Sequence, residues 1–255
     1  MTDNYSALSA VYDALNAEID YGAWAAYLDR KIKAHSDIPV TLVLDLCCGT
    51  GRMTMALDAL GYDMTGVDLS PEMLQIAKGK AEAKGRAENI LFLCQDMCDF
   101  ELYGTVQAVV SCLDSLNHVD GKEDLEQVFS LVHTYLEPGG VFCFDLNSPY
   151  KFKHIYGTNA YILEDEGILC GWQNFYDPES RICEFCTSVF TENADGSYTR
   201  RDDFEREYCF TRREVERLLE KCGFELICVD GGIGGEPVER DTERLYFTAK
   251  RIGIY

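Results

Sequence analysis

Basic residues are scarce in this sequence: 23 Lys and Arg stand against 44 Asp and Glu, for a formal net charge of −21 and an isoelectric point near 4.5. A field of that sign repels phosphate backbones and anionic membrane surfaces, which argues against nucleic acid as a partner. Two stretches, "RRDDFERE" and "TRREVERLLEK", mix both signs, and such mixing reads as a solvated face. Long apolar runs are also missing; nothing approaches the ~20 residues that a membrane-spanning helix needs. A second closely spaced cysteine pair is missing as well. Cys183 and Cys186 in "CEFC" therefore lack the partners of a four-thiolate zinc site, and on a strand their side chains leave by opposite faces. No metal is expected. The other cysteines, of 12 in all, sit in apolar strands such as "VFCF" and "ELICV" with no secretory leader ahead, so a reduced, cytoplasmic setting is expected.

What is present is an alternation. With 255 residues and 47% hydrophobic content the chain can bury a large core. Helical spacing in "YSALSAVYDALN" and "YGAWAAYLDRKIKAH" precedes strand "VTLVLDL", helix "GRMTMALDAL", strand "DMTGVDL" and helix "PEMLQIAKGKAEAKG". Strands "ILFLCQD" and "VQAVVSCL", helix "KEDLEQVFSLVHTYL" and strand "GVFCFDL" follow. Strands separated by helix-length patterns predict parallel pairing with right-handed crossovers, hence an α/β, doubly wound sheet. From about Tyr150 to Cys209 the pattern changes to short β segments punctuated by "DPES" and "NADGS", which predicts an antiparallel β insert at the edge or mouth of the sheet. Helix "TRREVERLLEKCGF" and strands "ELICVDG" and "RLYFTAKR" close the chain, the last two able to pair antiparallel. The predicted organisation is a core of residues 1–149 and 210–255, with an N-terminal helical cap over 1–38, and a lid over 150–209.

The stretch "LVLDLCCGTG" carries the first chemical signal. It reads as a buried strand ending in a glycine turn, where backbone N–H groups and a helix N-terminus can approach a ligand closely. Asp68, at the end of the next strand, lies 19 positions after Gly49, near the ~20 expected for a carboxylate that grips ribose hydroxyls. A dinucleotide fingerprint wants a third small residue where this chain has Thr54. Asp45, just before the glycines, suits a ligand ammonium better than a pyrophosphate. The combination points to an amino acid joined to adenosine.

In series, "VLDLCCGTGRMT", "GVDLSPEMLQIAK", "LFLCQDMCDF", "AVVSCLDSLNHV" and "LEPGGVFCFDLN" resemble the successive motifs of the class I S-adenosylmethionine-dependent methyltransferases, over roughly Thr41 to Asn147. The two closing strands are similar to that family's sixth and seventh, so a Rossmann-like, seven-stranded sheet with an antiparallel last strand is implied. The resemblance also implies S-adenosylmethionine as cofactor, leaving as S-adenosylhomocysteine. Asp45 and the Gly49–Gly51 turn would hold its methionine part, Asp68 the ribose, and Leu69 would pack on adenine. Asp96 and the Met97 backbone N–H would meet the adenine edge, and Leu113 would join the cofactor-facing set. Cys47 departs from the family by standing where many members have the first of three glycines. "VYDALN" followed by "DYGAW" looks like the N-terminal cap of small-molecule methyltransferases such as the amino-sugar N-methyltransferases. Tyr12 and Tyr21 would then reach the methionine end, or serve as core aromatics. Arg52 would pair with the cofactor carboxylate or lie exposed on the first helix turn.

Methyl transfer to a neutral amine moves positive charge from sulfur to nitrogen and develops no strong anion, so positioning dominates; oriented reactants recover ~7–11 kcal/mol of a barrier. A base is needed only for a nucleophile that arrives protonated. Candidates gather after the fourth strand: Asp114, Asn117 and His118, with His118 intrinsically close to neutrality. Asp114 could instead attract a cationic substrate, and Asn147 could orient it. The expected partner is a small-molecule amine or hydroxyl acceptor, with the chain a monomer or homodimer. An NAD-type oxidoreductase and a non-catalytic cofactor sensor are the other readings. Trp172, Phe175, Tyr176 and Tyr198 in the insert would line the acceptor pocket or form the lid's own small core.

Overall fold

The computed structural model describes residues 12–165 and 167–253. In chain order the described helices are α1 (Tyr12–Leu15), α2 (Tyr21–His35), α3 (Arg52–Asp58), α4 (Pro71–Ala83), α5 (Lys122–Tyr135) and α6 (Arg212–Lys221). The main sheet contains β1 (Leu42–Leu46), β2 (Asp63–Asp68), β3 (Leu91–Cys94), β4 (Val106–Ser111), β5 (Leu136–Asn147), β10 (Phe224–Asp230) and β11 (Arg244–Arg251). Its order is β10-β11-β5-β4-β1-β2-β3, and β11 runs antiparallel to both neighbours while the other pairs are parallel. The doubly wound sheet with an antiparallel last strand is therefore present as expected.

Aliphatic strands without alternation form because both faces are covered. Val43 of β1 packs with residues of α2, α3 and α4, whereas Leu44 and Leu46 pack with α5 and α6. All three are fully buried, and each such side chain contributes ~1.5–3 kcal/mol. Local signals set where the helices begin: the Ser70 hydroxyl accepts from the Met73 N–H with Pro71 opening α4, and Thr211 with Glu214 forms a capping box on α6. Of the first predicted helix, Tyr12–Leu15 is helical, and residues 1–11 of the expected cap lie outside the described residues. Among the described residues no helix is long and apolar enough to cross a membrane.

The insert is a separate antiparallel meander of β6 (Ala160–Asp165), β7 (Ile168–Asp177), β8 (Ile182–Glu192) and β9 (Tyr198–Tyr208). A wide helical turn, Lys151–Tyr156, leads into it. Phe152 and Tyr156 from that turn pack with Cys183, Phe185 and Cys209, and Trp172 and Tyr176 join this small core. Phe175 and Tyr198 lie outside that small core and are 57% and 55% exposed. Cys183 is buried and Cys186 exposed, as strand alternation requires. The same alternation corrects the reading of "RRDDFERE" as a uniformly solvated face. Asp203, Glu205 and Glu207 pair in register with Thr187, Phe185 and Cys183 on the inner face, while Arg200, Phe204 and Arg206 turn outward. A period of two turns three of the carboxylates inward and two of the guanidiniums outward, while Asp202 stays on the outer face and Arg201 keeps the inner register opposite Val189.

Candidate active site

The glycine turn after β1 is built from left-handed residues: φ is +63° at Cys47, +52° at Gly49 and +74° at Gly51. A Cβ on Gly51 would come within 2.9 Å of the Ala77 Cβ, so glycine lets α4 pack directly on the turn, whereas a Cβ on Gly49 would meet nothing within 4 Å. Cys47 adopts the backbone conformation that a glycine would take freely, at a cost of ~1–2 kcal/mol for an L-residue, and its Sγ lies 3.6 Å from the Met97 Sδ. Asp68 is tied to the turn, its Oδ2 accepting from the Gly49 N–H at 2.7 Å and its Oδ1 from the Ser70 N–H at 2.9 Å. Burial raises the Asp68 carboxyl above the usual range, opposed by those N–H groups. Asp45, 1% exposed, accepts from the Thr54 hydroxyl, and burial pushes its carboxyl up to about 7.

The N-terminal segment is strapped onto this turn. The Asp13 carboxylate takes the Thr50 hydroxyl at 2.7 Å and pairs with Lys80, and Arg52 donates to the carbonyls of Asp13 and Asn16. The Arg52 guanidinium also lies 4.2 Å over the Tyr21 ring, so it is neither exposed nor spent on a single partner. Burial pushes the Tyr21 hydroxyl up to about 12, with Arg52 opposing. One cavity brings together Tyr12, Tyr21, Asp45, Cys47, Gly49, Arg52 and Leu113. Gly51, Asp68, Leu69, Asp96 and Met97 stand outside its lining, on the turn and at the ends of β2 and β3. Leu69 is 61% exposed there, and the exposed Asp96 accepts from the Cys98 N–H at 2.8 Å.

After β4 the chain makes a second strained turn, with φ of +62° at Leu113 and +52° at Asp114. Asp145, 1% exposed within β5, accepts from both backbone N–H groups at 2.8 Å. Arg244, at the start of β11, pairs with Asp145 and also with Asp114 at 2.6 Å. Burial alone would raise the Asp114 carboxyl, but Arg244 and Lys151 outweigh it and hold it down at about 2. Asp114 is thus an ionised group already paired, not an open attractor for a cation. Asn117 faces inward rather than toward a reacting group: its Nδ2 donates to the Tyr208 carbonyl and its Oδ1 accepts from the Asn147 N–H, each at 2.9 Å. Asn147 is likewise a clamp, donating to Glu207 at 2.8 Å and to the Tyr156 hydroxyl, and accepting from the Lys151 Nζ at 2.9 Å.

His118 ends a 3-10 turn, Ser115–His118, and carries one nitrogen within 4.8 Å of carboxylate oxygens of both Asp114 and Glu207. Burial, then the charge of Asp114, pushes the Glu207 carboxyl up to about 8, with Asn147, Lys151 and Arg244 opposing. Two cations already serve these carboxylates, which leaves little electrostatic room for a divalent ion. Motif reading missed Asp145, Arg244 and Glu207. A lone acid inside the apolar "VFCFDL" marks Asp145, and inward-period acids in "DFEREY" mark Glu207; Arg244 carries no local signal.

A family model described as a methyltransferase domain matches residues 43–140. Over 97% of both chains the sequence is 32% identical to a Bacillus subtilis protein, YqeM, named as a methyltransferase. The chain belongs to the class I S-adenosylmethionine-dependent methyltransferases. A solved S-adenosylmethionine-dependent methyltransferase from Clostridium acetobutylicum is 28% identical and superimposes with a TM-score of 0.88, covering 98% of this chain and 99% of that one. The Streptomyces fradiae dTDP-3-amino-3,6-dideoxy-alpha-D-glucopyranose N,N-dimethyltransferase is 26% identical over 85% of this chain and 82% of its own length. This methyltransferase therefore uses S-adenosylmethionine, and the oxidoreductase reading is set aside. The residues present fit that cofactor. Asp45 and Arg52 offer opposite charges on one cavity wall for an amino-acid end, and the open space above Gly49 admits a ligand where a side chain would block it.

Proposed function

We propose that this enzyme methylates a small-molecule amine beneath the β insert, with 150–209 acting as the acceptor lid. The observation that carries the reading is the chemistry beyond the cofactor cavity, where Asp114, His118 and Glu207 converge, Glu207 is buried, and the half-buried Glu205 has one oxygen shut off from solvent. Buried carboxylates favour a cationic or amine-bearing guest over an anion. The near-full-length likeness to an amino-sugar N,N-dimethyltransferase supports the same choice.

In this reading Asp45 receives the cofactor ammonium and Arg52 its carboxylate, while Tyr12 and Tyr21 close that end. Asp68 accepts from the ribose hydroxyls, Leu69 packs on adenine, and Asp96 with the Met97 N–H reads the adenine edge. Cys47, Gly49, Gly51 and Leu113 supply backbone at close approach. The bound cofactor supplies an electrophilic methyl on sulfonium; the chain's task is to orient the nitrogen and exclude water. His118 stands beside Asp114 and Glu207 and would orient the acceptor there.

Replacing Asp68 with Ala removes a charged acceptor, so S-adenosylhomocysteine binding should weaken by ~1.5–3 kcal/mol in calorimetry; unchanged affinity refutes the ribose assignment. The acceptor class is tested with matched sugar nucleotides bearing an amine or a hydroxyl at the same carbon, read by mass spectrometry of the methylated product. Turnover of the amine alone is expected, and methylation of the hydroxyl partner refutes the amine reading.

A further inference from the structure

The inner face of the insert sheet holds polar groups that nothing among the described residues satisfies. Trp172 Nε1, Asn174 Nδ2 and Oδ1, and Glu205 Oε1 are shut off from solvent and have no hydrogen-bond partner among the described residues. Unsatisfied buried polar atoms cost free energy and are uncommon in folded proteins, so four of them on one face ask for a reason. Their placement is not scattered. Asn174 and Glu205 flank Phe185 in one cross-strand row, and Trp172 and Asp203 flank Thr187 in the next. Side chains in such rows share a face, with β7 and β9 two strand spacings, about 9–10 Å, apart. Asn174 is only 5% exposed. Glu207, two residues after Glu205 on the same face, brings a carboxylate oxygen within 4.8 Å of Asp114 and His118 in the turn after β4, and the charge of Glu205 is felt at Tyr12 of the cofactor cavity. The face therefore looks onto the region between the cofactor cavity and the turn after β4.

We propose that this inner face is the acceptor's binding surface, with Glu205 the catalytic base that takes the proton of an incoming ammonium and Asn174 and the Trp172 indole N–H its polar anchors. The proposal rests on the amine reading above and deepens it: the acceptor is an amine that also carries a hydroxyl or carbonyl group. The ammonium R–NH3+ gives one proton to the Glu205 carboxylate and becomes R–NH2. The nitrogen lone pair then forms the N–C bond as the C–S bond breaks, its electron pair staying on sulfur. A methylated ammonium and a neutral thioether result, and Glu205 releases its proton to solvent as product leaves. Burial, opposed by His118 and reinforced by Asp203, Glu207 and Asp114, brings Glu205 to about 7, where a base can both accept and return a proton near neutrality.

The test uses two cofactor analogues and needs no acceptor. In sinefungin a carbon bearing a primary amine replaces the methylated sulfonium, which sets an ammonium where the transferred methyl would stand; S-adenosylhomocysteine has nothing there. In wild type, sinefungin affinity should tighten about ten-fold more than S-adenosylhomocysteine affinity from pH 6 to pH 8 as Glu205 ionises, since the contribution of Asp45 at the shared amino-acid end cancels between the two analogues. Glu205→Gln should abolish that extra tightening and weaken sinefungin at least ten-fold at pH 8, with S-adenosylhomocysteine unchanged. An equal loss for both analogues, or no loss for either, overturns the role of Glu205. Asn174→Leu fills the same space without unsatisfied polar atoms, so it should raise the melting temperature and keep S-adenosylhomocysteine affinity; a lowered melting temperature overturns the anchor role. Failure of either variant leaves the amine reading to the paired sugar nucleotides, which fail separately if the hydroxyl compound is the one methylated.

Discussion

Replacing Asp145 with Asn changes one buried atom from acceptor to donor, and the structure sets the size of the effect. The two Asp145 oxygens accept from the Leu113 and Asp114 N–H groups, both at 2.8 Å, and one of them also pairs with Arg244. An Asn amide can keep one of these bonds but must turn an N–H toward another donor. Hydrogen bonds to a charged group contribute ~1.5–3 kcal/mol each, and leaving Arg244 without one of its buried partners adds to that, since breaking a buried pair costs ~3–5 kcal/mol. Arg244 retains Asp114, which limits the damage. The left-handed conformations of Leu113 and Asp114 cost ~1–2 kcal/mol apiece and are held against relaxation by the same two bonds. A loss of about 3–5 kcal/mol is expected. Urea unfolding without ligand should show a lower midpoint at unchanged slope, and at ~2–4 °C per kcal/mol the melting temperature should drop by roughly 10 °C. Arg244→Met added to Asp145→Asn should cost less than the sum of the two single changes, because both act on one network. A loss below about 1 kcal/mol for Asp145→Asn, or strict additivity, refutes this account.

Two further outcomes follow from the same geometry. Gly51→Ala brings a Cβ to 2.9 Å from Ala77 at φ +74° and should cost about 2–4 kcal/mol by overpacking and strain together; Gly49→Ala meets open space and should cost only its ~1–2 kcal/mol of strain, so the reverse order in urea melts contradicts the packing. The second outcome is a pH slope. The folded protein holds Asp45 and Glu205 at about 7 and Glu207 at about 8, above their unfolded values, so it binds more protons than the unfolded chain between those limits. Their stabilisation is fully present below the unfolded values near 4 and is lost as pH rises through 7–8. The ligand-free melting temperature should fall from pH 5 to pH 9, with Glu207→Gln flattening the upper part; a rise across that window refutes the assignment.

The glycine turn after β1 and its tie to Asp68 were legible because their signals are local. A glycine turn, a carboxylate at the end of the next strand and an apolar run before them lie within about one βαβ unit, and backbone geometry there follows from a few neighbouring residues. The cluster after β4 was legible only in part. Asp114, Asn117 and His118 were recognised as neighbours along the chain, but what each does depends on Asp145, Asn147, Tyr208 and Arg244, which arrive from three other strands. Hydrogen-bond capacity is used up by whichever partner the topology delivers, and sequence spacing does not reveal that partner. The charges of β9 were misread for a different reason: counting signs over a window discards the phase that a strand imposes.

That phase also bears on how the proposed lid, the β insert, is bonded to the main sheet. Asn117 is held by Tyr208 of β9 and itself holds Asn147 of β5, which in turn holds Glu207 of β9. The loop after β4, the end of the fifth strand and the lid are thus one bonded unit, tied also through Arg181 to Glu214 on α6. The glycine turn and Asp68 lie outside that unit, held by their own backbone bonds. Removing residues 150–209 would leave Asn117 and Asn147 with lost partners but would not touch a bond at Gly49. Changes on the inner face of β7 and β9 should therefore redirect the acceptor while sparing the cofactor, and changes to Asn117 or Asn147 should disturb acceptor turnover through Glu207 without either residue meeting substrate.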